Sequence, residues 1–61
     1  MKAREVIKLL SEDGWYQDRQ KGSHKIFKHH EKKGTIPVPD HGAKDIPVGT
    51  LKSILKMAGL Q

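Results

Sequence analysis

A histidine set among lysines is the feature of this sequence best suited to chemistry. His24 follows Gly22-Ser23 directly, stands between Lys21 and Lys25, and opens a short stretch that runs on to His29. An imidazole with an unperturbed pKa near ~6.5 takes and gives a proton close to neutral pH. The lysines beside it favour an anion, and a phosphodiester is the anion whose cleavage asks least of a protein. RNA carries its own nucleophile in the 2′-hydroxyl, so a catalyst must move that proton, hold the phosphate in line and stabilise charge on its oxygens. A second reading, that His24 is an ordinary exposed strand residue, stands beside the first on these residues alone.

Other chemistries fit poorly. His24 and His29 are five apart and so fall on opposite faces of a strand, and the adjacent His29 and His30 cannot both face one ion without a turn. No cysteine is present, which removes disulfides and the thiolates of most small zinc sites, and no carboxylate cluster accompanies the histidines. Paired catalytic carboxylates and a phosphate-cradling glycine loop with Lys-Ser/Thr are likewise missing. The expectation is a domain with no metal and no cofactor.

The charge is unevenly placed. The 61 residues carry twelve Lys and Arg against seven Asp and Glu, a net +5. Residues 19 to 33 hold Arg19, Lys21, Lys25, Lys28, Lys32 and Lys33 against Glu31 alone, so the whole excess lies in one quarter of the chain. Lysine-rich strands can simply be well solvated and guarded against edge pairing. Concentrated positive charge also tracks a polyanion, and with no membrane-seeking apolar face beside it that polyanion is nucleic acid. Arg19, Lys21, Lys25 and Lys28 are then the candidate phosphate contacts. The first fifteen residues are too charged for a signal peptide and no apolar run approaches membrane-spanning length, so a cytoplasmic protein is expected.

Short elements must position these side chains. Ala3, Val6, Ile7 and Leu10 share one helical face within residues 2 to 13, and Gly14 follows where a left-handed cap belongs. Trp15 to Arg19 reads as a strand, Gln20-Lys21-Gly22-Ser23 as a turn, and His24 to His29 as the returning strand of a hairpin. If Phe27 joins the core, His24, Ile26 and Lys28 lie on the opposite face. Thr35-Ile36-Pro37-Val38-Pro39 is a third strand whose two prolines lack backbone donors, which confines it to a sheet edge. Asp40 to Asp45 is a loop. Pro47 then starts a second helix with Val48, Leu51, Leu55 and Ala58 on its apolar stripe, Ile54 on its flank and Gly59 at its end.

The predicted architecture is a single α+β domain over residues 1–61, ordered α-β-β-β-α. It has a three-stranded antiparallel sheet with both helices on one face and the other face open. The same order occurs in double-stranded-RNA-binding domains, an analogy of fold alone.

Three runs carry a more specific resemblance. Lys21-Gly22-Ser23-His24-Lys25-Ile26-Phe27, Val38-Pro39-Asp40-His41-Gly42 and the stretch from Gly49 to Leu60 resemble the HicA toxins in order, spacing and wording. Together they span nearly the whole chain. The resemblance implies a double-stranded-RNA-binding-like fold, cleavage of mRNA, and neutralisation by a HicB antitoxin that covers the active face. It also implies that the histidine after Gly-Ser, here His24, is catalytic, while His41 reads as structural. Arg19, Lys21, Lys25 and Lys28 would contact RNA, with Gly22 and Ser23 shaping the turn. Lys44, Lys52 and Lys56 are too sparse for the lysine cluster of a double-strand binder, so single-stranded RNA is expected. The competing readings are a non-catalytic RNA-binding module of the same fold and a protein-binding domain whose lysines only solvate it.

Overall fold

Helix α1 (Ala3–Glu12) forms where the apolar periodicity places it. In the computed structural model, which describes residues 1–60, Ala3, Val6 and Leu10 are buried and Ile7 packs against them. The helix starts at Lys2, whose backbone N–H donates to the Glu5 carboxylate at 2.8 Å, and Glu5 places negative charge in the first turn. It stops at Gly14, which takes φ +98° and sends its N–H to the Ser11 carbonyl. A side chain at this position would also strike the His29 ring, since a Cβ would lie 2.8 Å from Nε2.

Strands β1 (Trp15–Lys21), β2 (His24–His29) and β3 (Ile36–Pro39) form an antiparallel sheet in the order β1-β2-β3. The proline-bearing strand therefore lies at an edge, as its missing donors require. Alternation along the strands puts Trp15, Phe27, Ile36 and Val38 on one face, where they meet α1 and helix α2 (Val48–Met57). Both helices thus cover the same side of the sheet. Full burial of each large apolar side chain contributes about 1.5–3 kcal/mol, and among the described residues ten make up this core.

Two details differ from the sequence reading. Strand β1 continues through Lys21, so the hairpin turn is Gly22-Ser23 alone instead of four residues. In α2 the stripe begins at Leu51: Ile54 is fully buried, Leu51 and Leu55 are half-buried, Ala58 is buried, and Val48 is 67% exposed. The i, i+3, i+4, i+7 spacing from Leu51 is the one that faces the sheet. At the helix start the core is completed instead by Ile46, whose N–H donates to the Met1 carbonyl at 2.8 Å.

A polar junction ties the far ends of the elements together. The His29 ring lies 2.7 Å from the Asp13 carbonyl through Nε2, while Nδ1 accepts the N–H groups of Glu31 and Lys32. The Lys32 ammonium bonds the Asp13 carboxylate and the Ala58 carbonyl at the end of α2, and Trp15 Nε1 donates to the same carboxylate. Lys32 above all holds the Asp13 carboxyl below its ordinary pKa of 3.8. A carboxylate with a depressed folded-state pKa contributes stability that is present above the ordinary value and lost as pH falls through the folded one. Asp13→Asn is therefore expected to lower the melting temperature at neutral pH, with the gap to the parent closing below pH 3.8. Thermal melts at the two pH values measure this, and an equal gap at both would show that the Asp13 charge is idle.

Candidate functional site

The site is built on the central strand. Within β2 the residues alternate: Lys25, Phe27 and His29 point toward the helices, and His24, Ile26 and Lys28 point to the uncovered face. Pairing fixes their neighbours. Lys21 of β1 and Pro39 of β3 stand opposite His24, Arg19 and Pro37 opposite Ile26, and Tyr16 opposite Lys28. Directly opposite residues in an antiparallel sheet share a face with Cβ atoms about 4.5–5.5 Å apart, so the His24 imidazole and the Lys21 side chain leave the sheet side by side.

A bulge makes that arrangement possible. Trp15 and Lys21 are six residues apart, and in a regular strand both would point the same way. Trp15 must be in the core, yet Lys21 faces out beside His24. The register shifts between Gln17 and Arg19, leaving Asp18 as an extra residue, and the strand changes phase there. Without it, either Trp15 or Lys21 would be on the wrong side.

The turn that presents His24 has two residues. Gly22 takes φ +61° while Ser23 keeps a negative φ, the pattern of a type II′ hairpin turn with glycine first. Asp40 buttresses it: its N–H donates to the Ser23 carbonyl at 2.8 Å, and its carboxylate accepts from Lys25 Nζ at 2.8 Å and from the Gly42 N–H at 3.1 Å. The Lys25 ammonium, with Gly42, holds the Asp40 carboxyl below its ordinary value. Asp40 thus ties the loop after β3 to the hairpin tip. Its sequence signal is the Asp-x-Gly pattern of an Asx turn, legible in the sequence but not read there as part of the site.

The candidate residues therefore separate. His24, Lys21, Arg19 and Lys28 are gathered on the open face, with Gly22 and Ser23 at its edge. Lys25 is not among them. It lies on the helix side, paired with Asp40 in a groove also lined by Lys2, Arg4 and Ile7. On the open face Asp18 supplies a counter-charge that composition could not place, bonding Arg19 at 2.7 Å and lying 3.7 Å from Lys28. Exposed pairs of this kind are weak and exchange readily for another anion. Tyr16 and His30, which the sequence reading did not single out, stack at the far end of the same face with ring centroids 4.9 Å apart.

The four histidines play different parts. His29 is locked in the junction below the sheet and edge-on to Trp15. His41 is exposed in the loop beyond Asp40, and His24 is exposed at the hairpin mouth. Among the described residues no group of three histidine, cysteine or carboxylate side chains gathers as a metal ion would need.

The chain is thus a small basic α+β domain of order α-β-β-β-α whose uncovered sheet face carries His24 beside Lys21. Sequence comparison goes further, since residues 3–60 match the family described as the HicA toxin of bacterial toxin–antitoxin systems. The chain belongs to that family, which gives it a toxin's role and implies an antitoxin partner. A search of curated proteins found no match. Among the described residues no helix is long and apolar enough to cross a membrane.

Proposed function

We propose that this toxin is a metal-independent endoribonuclease that cuts single-stranded mRNA through the RNA's own 2′-hydroxyl, with His24 moving the proton. The observation that carries the reading is the placement of His24 and Lys21 side by side, exposed, on an open sheet face. In the proposed step His24 takes the 2′-hydroxyl proton, the 2′-oxygen bonds to phosphorus, and the bond from phosphorus to the 5′-oxygen breaks. The products are a 2′,3′-cyclic phosphate and a 5′-hydroxyl end, the leaving oxygen being protonated by solvent or by the imidazolium. Lys21 stabilises the charge on the phosphate oxygens, and Arg19 and Lys28 hold the flanking strand once its phosphates displace Asp18. Proton transfer by a positioned residue supplies about 10² to 10⁴-fold, which suits a modest nuclease.

The test is a single oligoribonucleotide compared with its analogue lacking the 2′-hydroxyl at the scissile position. Cleavage is expected to persist in excess EDTA, to leave cyclic phosphate ends, and to fail on the analogue. Loss of activity to chelator, or ready cutting of the deoxy position, would sink the scheme.

A HicB-type antitoxin fits the same face. A partner that sets carboxylates against Lys21 and Lys28 while covering His24 combines charge neutralisation and inhibition in one contact. Lys21→Glu is expected to weaken that complex, because like charges facing each other across an interface cost several kcal/mol. Unchanged affinity of the variant for its antitoxin, measured by calorimetry, would move the antitoxin to another surface.

A further inference from the structure

Tyr16, near the start of β1, and His30, just after the end of β2, are fourteen residues apart in sequence and meet at the open end of the hairpin, on the face that carries His24. Their rings are 4.9 Å apart and tilted by 30°. Tyr16 is 41% exposed, and His30 is exposed as well. Neither ring contributes to the core, which lies on the other side of the sheet. An exposed aromatic pair on an outward strand face is a ready platform for another flat ring.

Its surroundings say which ring. Lys28 stands directly opposite Tyr16, and Arg19 lies next along the strand pair, so two cations, with Asp18 as their exchangeable counter-charge, line the way from the platform to His24. Flat stacking surfaces beside a row of cations are the two components of single-strand nucleic-acid binding, one for bases and one for phosphates. The distance agrees: Lys28, level with Tyr16, is four residues along β2 from His24, and at ~3.3 Å per residue this is about 13 Å. A stacked strand rises ~3.4 Å per nucleotide, so about four nucleotides span the gap, fewer if the strand is extended.

We propose that Tyr16 and His30 form a nucleobase subsite, holding by stacking one unpaired base roughly two to four nucleotides from the phosphate at His24. This rests on the reading of the domain as an RNA-binding nuclease and adds where the strand is gripped. Stacking tolerates any base, so the subsite fixes the strand's position and leaves sequence preference to other contacts.

The test uses equilibrium binding, so that it does not depend on cleavage. Fluorescence anisotropy of labelled oligoribonucleotides is read with the His24→Ala protein, alone and combined with Tyr16→Ala or Tyr16→Phe, and an abasic residue is moved one position at a time along the RNA. Tyr16→Ala is expected to weaken binding roughly 5- to 150-fold, Tyr16→Phe to retain it, and thermal melts to show all variants folded. One abasic position in the two-to-four window is expected to cost the same factor in the Tyr16 background and nothing further with Tyr16→Ala. A flat abasic scan overturns the proposal even if Tyr16→Ala weakens antitoxin binding, since the pair then serves the protein partner. RNA bound and positioned as described but never cut by the unmodified protein would end the nuclease reading and leave the subsite standing. Absence of any RNA binding overturns both.

Discussion

Replacement of His24 by alanine is expected to reduce RNA cleavage by at least about 100-fold, the lower end of what general acid–base transfer supplies, while leaving the fold in place. The asymmetry comes from the residue's position. His24 is exposed on the uncovered face, so truncation opens no cavity, and surface substitutions away from structural features usually stay within about 0.5 kcal/mol. The hairpin that presents it is held by Gly22, by Asp40 and by backbone pairing, none of which uses the imidazole. The same variant, overproduced without antitoxin, should permit growth that the parent arrests. Cleavage and melting temperature measured on one preparation decide the matter: equal cleavage by both proteins would return the domain to the non-catalytic RNA-binding reading.

Phe27→Ala should have an effect of similar size by a wholly different route. Phe27 is the neighbour-but-two of His24 along β2, but on the opposite face, where it is 2% exposed between Gln17 and Ile36 and beneath the helices. Truncating a buried phenylalanine costs about 3–5 kcal/mol. A core in a chain below about 70 residues rarely supplies more than ~3–5 kcal/mol in total. The loss therefore approaches the whole stability of the domain, and a lowering of the melting temperature by roughly 12 °C or more, or a chain unfolded at room temperature, is expected. Phe27→Leu, which keeps most of the volume, should retain a cooperative transition. A Phe27→Ala protein melting within a few degrees of the parent would mean that this core is not what holds the sheet together. Both substitutions are expected to lower cleavage, the first in a folded protein and the second by removing the scaffold.

Much of this was legible in the sequence because it is local. Helix α1 follows from four apolar positions at helical spacing, the edge position of β3 from two prolines, and the hairpin, though not the exact length of its turn, from Gln20-Lys21-Gly22-Ser23 between two strand-like runs. The opposite facing of His24 and Phe27 follows from the period of two within a single strand. The HicA resemblance likewise rested on short runs of contiguous residues. Each of these is decided within a few residues of chain, where backbone geometry leaves little choice.

Tertiary structure decided what depends on phase and on distant partners. Alternation tells which residues of one strand share a face, but the phase of β1 relative to β2 is set by the core's demand for Trp15, and the bulge at Asp18 reconciles that demand with Lys21 beside His24. Arg19, Lys21, Lys25 and Lys28 look alike as a run of bases, yet the pleat and the Asp40 carboxylate take Lys25 to the helix side, while Asp18 partly neutralises Arg19 and Lys28. The Tyr16-His30 pair and the Lys32 bonds to Asp13 and Ala58 join residues fourteen to twenty-six apart in the chain. No periodicity encodes such meetings, because they exist only once the helices have covered one face of the sheet and left the other to the solvent.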